Sequence, residues 1–509
     1  MAELGLAIVA TVDLCFKYGN SLVEICKSLK TAEVQVAEMA LCIQNHWMRT
    51  RKQLKFIQRV SDTLDKDHRD IQNQIVRALI NKLSAATTSL GKVTETYRGL
   101  GGRPEIRVEK WRYIRLKESL QQTMDDLEVW QKRFDPSWFL IMKVANPMID
   151  LELSRDSQMQ NQLPSALSVR KAATGGPQSR SSVFLDKDAL ESAEKIDIPY
   201  TSAKWAQRQG SAKWLVLDTM AVDPQLDISR LIQDVRDLAR KLSCSDPATF
   251  GLLNCYGVIK ETDPSNRRKV NSFCFVFRTP ARAPQGTSLR SRLICGNTEH
   301  SLSERFRIAK EVARSVCYMH THGFVHKNIR PETILLLQSE STGFGSSFLL
   351  GFGNFRSADG RTLQAGDSDW EKNLYRHPRR VGLVPEDEYI MQHDIYSLGV
   401  CLLEVGLWET FVLYDDQGGN PRPSPILNLE LDNLEQLASI KEHLVSLTRN
   451  ILPRRMGTKY ARVVETCLTC LDPDNADFGD EQEFQDADGV LVAVRYIEKV
   501  LLQLDGICL

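Results

Sequence analysis

A polar segment from residue 154 to about residue 192 divides this chain into two regions that differ in the spacing of their apolar residues. The segment is rich in Ser and Gln and contains Gly175-Gly176-Pro177, which is the composition of a linker. At 509 residues, the chain is also longer than one hydrophobic core usually supports. We therefore predict a multidomain protein with a helical domain at 1–150, a polar linker at 151–196 and a mixed domain at 197–509.

The region before the linker has the periodicity of long amphipathic helices, because its apolar residues recur mostly at intervals of three and four. This pattern predicts an all-α bundle of four or five helices. The pair Asp135-Pro136 is expected to end the last long helix, since proline lacks the amide hydrogen that a helix interior needs. The apolar positions are Val36, Ala40, Ile43, Trp47, Leu54 and Ile57 in one stripe, Ile71, Ile75, Leu79 and Leu83 in the next, and Tyr113, Leu116, Leu120, Met124, Leu127, Trp130 and Phe134 in the third.

The region after the linker mixes short strand-like runs with helical patterns. Its order predicts an α+β fold of two lobes, a small mixed lobe at about 197–280 and a large helical lobe at about 281–509. The strand-like runs span residues 214–217 and 273–277, and the helical patterns span 228–242, 306–320, 395–405 and 460–470.

Composition excludes several functional classes. Lys and Arg together number 65, and so do Asp and Glu, so the overall charge gives no reason to expect a nucleic-acid partner. The 12 cysteines lack the dense spacing of a secreted disulfide scaffold, which favours reduced thiols in the cytosol. The chain begins with Met-Ala-Glu and shows no secretory signal. We therefore expect a cytoplasmic protein.

The most specific motif lies at residues 324–337, which read FVHKNIRPETILLL. This segment resembles the catalytic loop of protein kinases, H-R-D-L-K-P-E-N. Three further motifs follow in the order found in that family. Residues 350–353 (LGFG) stand where D-F-G is expected, residues 375–379 (YRHPR) stand at the end of the activation segment, and residues 394–399 (DIYSLG) begin the central helix. The resemblance covers about residues 197 to 507 and implies a bilobal protein-kinase-like fold.

The positions that carry kinase chemistry are altered in this chain. Asn328 replaces the Asp that receives the substrate proton, and a neutral amide cannot serve as that base. Gly351 replaces the Asp that holds Mg²⁺, and Thr333 replaces the Asn that holds the second Mg²⁺. The resemblance thus predicts a pseudokinase with no catalytic residues, no metal site and no required cofactor. Whether ATP still binds is left open, and an unconventional ATP-dependent protein kinase is kept as an alternative.

Other positions bear on the architecture of the same domain. His326, Phe352 and Asp394 match kinase positions that pack the catalytic loop, the activation segment and the central helix together. Residues 200–217 contain no G-x-G-x-x-G, and Asp218 stands where the phosphate-binding Lys is expected. Arg236 in the next helix could pair with Asp218 as an inverted ion pair; the alternative is two unrelated exposed charges.

The N-terminal region resembles the HeLo-type helical domains of fungal programmed-cell-death proteins, in the segments LGLAIVATV (residues 4–12) and DPSWFL (residues 135–140). The layout is similar to that of mixed-lineage kinase domain-like proteins. The resemblance implies an effector that attacks membranes, with homo-oligomers forming on activation. The apolar stretch at residues 4–12 is shorter than the roughly 18 residues of a spanning helix, so it would enter one leaflet. The candidate membrane side chains are Leu4, Leu6, Ile8, Val9 and Val12.

A basic stretch in the second helical pattern is a candidate contact for anionic lipid. It places Arg49, Arg51, Lys52, Lys55 and Arg59 within eleven residues that include no acid. The alternative interpretations are that residues 4–12 form an ordinary buried helix and that the basic stretch is a solvated helix face. With the lipid interpretation, we expect recruitment to the plasma membrane.

These observations predict a pseudokinase coupled to a helical effector domain, acting in signalling or programmed cell death. Its partners would be a protein sensor or upstream regulator and, for the effector, anionic membrane lipid. The remaining alternative is an interaction scaffold whose bundle binds proteins and never contacts lipid.

Overall fold

In the computed structural model, the chain divides into two compact units, residues 1–167 and residues 168–509. The first unit is helical and the second combines helices with a mixed sheet, so the predicted division into an all-α region and an α+β region is confirmed at that level. The structure describes residues 2–29, 33–64, 66–98, 106–143, 147–155, 170, 182–186, 190–211, 213–222, 227–263, 266, 269–280, 286–295, 301–338, 344–357, 369–381, 389–415, 420–429, 439–475, 477–478 and 495–507.

The described part of unit 1 is formed by five α-helices and one short 3-10 turn at Ser61–Thr63. The first helix packs on the second and third, the fourth packs on the second and third, and the fifth packs on the second. Among the helices that the structure describes, none is both long and apolar enough to cross a membrane. The helices are α1 (Ala2–Lys27), α2 (Val34–Val60), α3 (Lys66–Arg98), α4 (Ile106–Lys143) and α5 (Pro147–Arg155).

Helix α4 continues through Asp135-Pro136 to Lys143, so the prediction that it ends there was wrong. The reason lies in the packing of three aromatic side chains spaced one turn apart. The rings of Trp130 and Phe134 stack at 4.8 Å, those of Phe134 and Trp138 at 6.0 Å, and all three side chains are buried. A proline inside a helix costs about 3 kcal/mol. Burial of three large aromatic side chains on one face is worth more than that.

A six-stranded sheet dominates the first part of unit 2. Its order is β1-β5-β6-β4-β3-β2; β1 pairs with β5 in parallel, and the other neighbours are antiparallel. Strand β1 and the beginning of β2 come from residues that the sequence analysis assigned to the linker. The strands are β1 (Phe184–Leu185), β2 (Glu194–Asp197), β3 (Lys204–Gln207), β4 (Trp214–Ala221), β5 (Asn254–Thr262) and β6 (Val270–Arg278).

Helix α6 (Ile228–Ser243) packs against β5 of this sheet. It begins at Asp227, whose carboxylate accepts hydrogen bonds from the amides of Ser229 and Arg230, as expected for an N-terminal cap. Its buried side chains recur at helical spacing on one face. The short α7 (Pro247–Phe250) follows and ends at Gly251 in the left-handed conformation.

Helices form most of the remaining described part of unit 2. Helix α11 (Met391–Leu407) is buried along its whole length and packs against several of the other helices. The other helices are α8 (Leu289–Ile294), α9 (Leu302–Thr321), α10 (Trp370–Asn373), α12 (Ile440–Asn450), α13 (Leu452–Met456), α14 (Thr458–Leu468) and α15 (Leu502–Asp505). Small sheets join β7 (Gly286–Ser288), β9 (Ile334–Gln338) and β10 (Phe344–Leu349), then β8 (Phe324–Val325) with β11 (Arg356–Ser357), and β12 (Val412–Tyr414) with β13 (Pro421–Pro423).

Candidate functional site

The loop that follows β8 is held in place by a single buried carboxylate on the first turn of α11. Asp394 accepts hydrogen bonds from the backbone amides of His326 and Lys327, at 2.7 and 2.9 Å, and from the Tyr389 hydroxyl at 2.7 Å. His320 Nε2 lies 3.0 Å from the same carboxylate. Burial by itself raises the pKa of Asp394, but the hydrogen bond and charge of His320 bring that pKa below its ordinary value. These contacts hold Lys327 at a φ of +64° and so fix the loop's path.

Gly351 occupies a turn that no other residue type fits without strain. Its φ is +83°, a region that L side chains rarely adopt. A Cβ at this position would lie 2.3 Å from Thr333 Cγ2 and 2.8 Å from Thr333 Cβ. Those distances are far inside the contact distance of two carbon atoms. Thr333 therefore fills the space that a side chain at position 351 would need.

Asn328 uses both ends of its amide side chain within this site. Its Nδ2 donates to the carbonyl of Gly351 at 3.1 Å, and its Oδ1 accepts from Arg330 Nε at 3.0 Å. The Thr333 hydroxyl donates to the carbonyl of Asn328 at 2.9 Å. Because none of the three predicted positions carries a carboxylate, these side chains offer no strong proton acceptor and only neutral, weaker oxygen ligands for a hard cation.

A carboxylate reaches the same turn from the sheet. Asp218, on β4, is 3 % exposed, and its Oδ2 accepts from the amides of Gly351 at 2.8 Å and Phe352 at 3.0 Å. Burial raises the pKa of Asp218 above its ordinary value, while the two amide donors act in the opposite direction. The contact joins β4 of the large sheet to the turn at residues 350–353.

The structure does not bring Asp218 and Arg236 together as an ion pair. The Arg236 guanidinium carbon lies 5.7 Å from the centre of the Phe184 ring, and the Asp218 side chain is bonded to backbone amides. A cation on the face of an aromatic ring is a recognised interaction. Arg236 takes this alternative partner because β1 carries Phe184 to the edge of the sheet.

Phe352 and His326 lie in ring contact between the sheet and the loop. The Phe352 ring is 5.2 Å from that of His326, and it is 6.0 and 5.7 Å from the rings of Phe275 and Phe277 on β6. Burial lowers the pKa of His326 to about 4, so the imidazole is neutral at physiological pH. The two side chains therefore act as apolar packing between these elements.

Sequence reasoning missed a buried ionic network centred on Arg290, whose side chain is fully buried. Arg290 donates to Glu332 Oε1 at 2.9 Å and to Glu404 Oε1 at 2.8 Å, and it also donates to the Tyr375 hydroxyl. Tyr375 donates to Glu404 Oε2 at 2.7 Å. Burial alone would lower the pKa of Arg290, but the carboxylates of Glu332 and Glu404 hold it well above its ordinary range. Glu332 lies in the segment that resembles the kinase catalytic loop, whereas no sequence pattern marks Arg290.

A groove with a volume of about 690 Å³ opens beside these residues. One wall is the turn between β2 and β3, where Tyr200 has a φ of +58° and its ring lies 5.1 Å from that of Tyr414. The other wall includes Asn328, Arg330 and Thr333. The Ser288 hydroxyl donates to the carbonyl of Pro199 at 2.6 Å, which fastens the turn to the rest of the unit.

The predicted membrane segment lies on α1. Ile8 and Val12 are fully buried within unit 1, and Val9 is half-buried. The side chains of Leu4 and Leu6 lie outside the described residues. Of the side chains that were predicted to meet lipid, Ile8 and Val12 are therefore packed into the helical unit.

The basic stretch of α2 is partly accessible. Arg51, Lys55 and Arg59 are exposed, and Arg49 and Lys52 are half-buried. Arg59 pairs with Glu152 of α5 at 3.0 Å, so the end of α2 contacts an acidic partner within the chain.

Comparison with known proteins gives no identification, since no protein-family model and no curated protein matches this chain. Within the described ranges, no group of three or more His, Cys, Asp and Glu side chains is arranged to hold a metal ion.

Proposed function

We propose that unit 2 is a catalytically degenerate, protein-kinase-like domain that regulates the helical unit 1 in signalling or programmed cell death. The four motifs in residues 324–399 support the likeness to kinases. The observation that carries the proposal is the contact between Asn328, Thr333 and Gly351. The three altered positions fill one another's space and satisfy one another's hydrogen bonds.

The chemistry at these positions favours a regulatory role over phosphate transfer. An amide at position 328 cannot take a proton, and the loss of a general base alone typically costs about 10²–10⁴ in rate. Glycine supplies no ligand for Mg²⁺, and a threonine hydroxyl is a weak one. The backbone amides of Gly351 and Phe352 already donate hydrogen bonds to the carboxylate of Asp218, so they are not free to bind a phosphate. A negative charge there would also repel the phosphates of a nucleotide.

We further propose that unit 1 is the effector and that it is cytoplasmic until it is recruited to an anionic membrane. The burial of Ile8 and Val12 supports a stored state, because these side chains can reach lipid only after α1 leaves its neighbours. A regulatory domain that controls this release would explain why the two units share a chain. An upstream protein sensor would supply the signal.

The first test is thermal unfolding of the full chain with ATP, with Mg²⁺ and with both, together with a phosphate-transfer assay. A ligand that binds only the native state must raise its stability, so we expect no rise that requires Mg²⁺ and no phosphate incorporation. A rise with ATP alone fits a nucleotide-gated switch. A rise that requires Mg²⁺, with incorporation that disappears in Asn328→Ala, would overturn the proposal. Incorporation that persists in Asn328→Ala would be assigned to a contaminating kinase.

The effector role needs a separate experiment. A protease site inserted at residues 171–180 of the full chain would allow unit 1 to be released in the presence of dye-filled vesicles. We expect leakage after cleavage from vesicles of phosphatidylcholine with phosphatidylserine, and little leakage before it. An intact dye signal after complete cleavage would favour the alternative of an interaction scaffold.

A further inference from the structure

Three buried polar side chains meet where the segment after α10 contacts the start of α11. His377 precedes the short 3-10 turn Pro378–Arg380, and His393 and Tyr396 lie on α11. The ring of His377 is 5.9 Å from that of His393 and 5.1 Å from that of Tyr396. The three residues are 4, 1 and 0 % exposed. We call this contact between His377, His393 and Tyr396 the histidine junction.

Each histidine of the junction accepts a backbone hydrogen bond with one ring nitrogen. His377 Nδ1 accepts from the amide of Arg379 at 3.4 Å and so caps the 3-10 turn. His393 Nδ1 accepts from the amide of Ile390 at 3.0 Å, at the residue that precedes α11. A ring nitrogen can accept a hydrogen bond only while it keeps its lone pair. Protonation of either imidazole would therefore break its bond to the backbone.

The other ring nitrogen of each histidine then carries the hydrogen, and it has no acceptor. Within the described residues, neither His377 Nε2 nor His393 Nε2 has a hydrogen-bond partner, and the Tyr396 hydroxyl has none either. The junction thus provides no acceptor for the hydrogens of a charged imidazolium. A charge that is buried without a partner is costly.

Positive charges act on both rings. Burial lowers the pKa of His377 from 6.5 to about 3, and the charges of Lys441 on α12 and of Arg379 act in the same direction. Burial likewise lowers the pKa of His393 to about 3, and the charges of His377 and Arg380 add to that effect. Protonation of one ring therefore opposes protonation of the other.

The acidic groups around the junction do not reverse this effect. Asp394 and the backbone of Ile390 favour a protonated His393, but its pKa stays low because burial outweighs them. Asp394 also accepts hydrogen bonds from the amides of the loop at residues 326–327. Asp472 forms an ion pair with Lys441. The other ionisable groups are Tyr389, whose ring is 5.0 Å from that of His393, and Glu442, Cys470 and Asp472, whose charges add to the effect of burial in raising the pKa of Tyr396.

We infer that the histidine junction is an acid-sensitive contact, in which protonation of His377 and His393 separates residues 377–380 from the start of α11. The effect reaches the candidate site, because Asp394 follows His393 directly and anchors the loop at residues 326–327. Acid would loosen that anchor. The inference rests on the proposed function for its role, since it names proton concentration as an input to the regulatory unit 2.

The direction of the pH dependence follows from the pKa values of the two rings. In an open junction both rings return to the ordinary pKa of 6.5, whereas in the closed junction both pKa values are about 3. Opening therefore binds protons, so the closed junction is most stable above pH 6.5 and loses stability as the pH falls below that value. Between about pH 6 and about pH 4, the opening constant should rise about tenfold per pH unit for each histidine and about 100-fold for both.

The test is hydrogen exchange of the full chain between about pH 7.5 and about pH 4.5, corrected for the intrinsic pH dependence of amide exchange. The quantity measured is the opening constant of the amides at residues 377–381 and 390–397. The wild type should show the slope of about 100-fold per pH unit below about pH 6. His377→Asn and His393→Gln each keep an acceptor for the backbone amide but cannot be protonated. Each should reduce the slope to about tenfold, and the double variant should abolish it.

A third histidine provides the matched control. His443 lies on α12, and its Nε2 is 2.8 Å from the carbonyl of Ile426. His443→Gln removes a titratable ring from unit 2 but none of the contacts of the junction. It should leave the slope at about 100-fold per pH unit.

Three results would overturn the inference. These are an opening constant that does not change with pH, a slope that the double variant retains, and amides in β4 and α9 that open with the same slope, which would indicate global unfolding of unit 2. If a variant does not fold, nitrogen-15 NMR of the wild-type histidines decides the question. At about pH 6, both rings should be neutral with the hydrogen on Nε2, and a charged ring in a protected junction would contradict the inference. These measurements involve neither ATP nor phosphate transfer, so their failure is distinct from a failure of the proposed function.

Discussion

Replacing Gly351 with alanine should destabilise unit 2 by an amount that can be divided into two physical causes. The first is backbone strain, because a φ of +83° costs an L residue about 1–2 kcal/mol. The second is steric. The new Cβ would lie 2.3 Å from Thr333 Cγ2, and overpacking of this kind costs about 1–3 kcal/mol. The expected loss in free energy of unfolding is therefore about 2–5 kcal/mol.

Two companion variants separate these causes. Gly323 also has a positive φ, +75°, but a Cβ there would meet no atom within 4 Å, so Gly323→Ala should show the backbone cost alone. Thr333→Ser removes the clashing methyl group. In the double variant Thr333→Ser/Gly351→Ala, the steric part of the cost should be reduced, and the two substitutions should be non-additive.

Urea unfolding of the full chain would give the change in free energy of unfolding for each variant. Hydrogen exchange of the amides in β4 and α11 would then assign that change to unit 2. The reasoning fails if Gly351→Ala costs no more than Gly323→Ala, because the contact with Thr333 would then be absent. It also fails if the effects of Thr333→Ser and Gly351→Ala simply add.

Three further predictions concern buried polar groups. Arg290→Met should lower the free energy of unfolding of unit 2 by about 3–5 kcal/mol, because it leaves the buried carboxylates of Glu332 and Glu404 without their cation. In the same urea titration, the control Arg422→Met, at an exposed site, should change the free energy of unfolding little. Burial raises the pKa of Asp218 above 3.8, so the folded state binds a proton at this carboxyl more tightly than the unfolded state does. The free energy of unfolding should therefore fall as the pH rises from 3.8 through the raised pKa of the folded state. Asp218→Asn should flatten the dependence of stability on pH in this range, and an unchanged dependence would contradict the raised pKa. Gln72 in unit 1 is fully buried, and neither polar atom of its side-chain amide has a hydrogen-bond partner in the described structure. Because Gln72→Met removes these unsatisfied groups, it should raise the free energy of unfolding of unit 1 by about 1 kcal/mol. A loss of stability in thermal unfolding would refute this prediction.

Periodicity predicted the elements that depend on local sequence. The helices at 228–243 and 391–407 and the strands at 214–221 and 270–278 lie where the apolar spacing indicated. Local signals failed where a distant contact decides the outcome. Helix α4 passes through Pro136 because aromatic side chains on both sides of it are buried together.

In the candidate site, too, the sequence predicted local features and missed long-range contacts. The sequence drew attention to positions 328, 333 and 351, because the segments around them resemble kinase motifs. Their interactions were not visible. Asp218 reaches Gly351 across 133 residues of chain, and Arg290 reaches Glu404 across 114. No periodic pattern encodes a pairing between single side chains at such separations. For the same reason, the sequence left open whether Arg236 pairs with Asp218 or carries an unrelated charge.

The interdependence of the altered positions bears on the alternative of an unconventional kinase. A carboxylate placed at position 351 alone would drive a side chain into Thr333. It would also face the buried carboxylate of Asp218, which already accepts hydrogen bonds from the amides of Gly351 and Phe352. Without a cation between them, two carboxylates in one buried site cannot both stay ionised. A carboxylate at 351 would also require a smaller residue at 333, and phosphate transfer would need a base at 328 besides. The packing around Gly351 thus supports the proposal that this turn has a structural role and not a catalytic one.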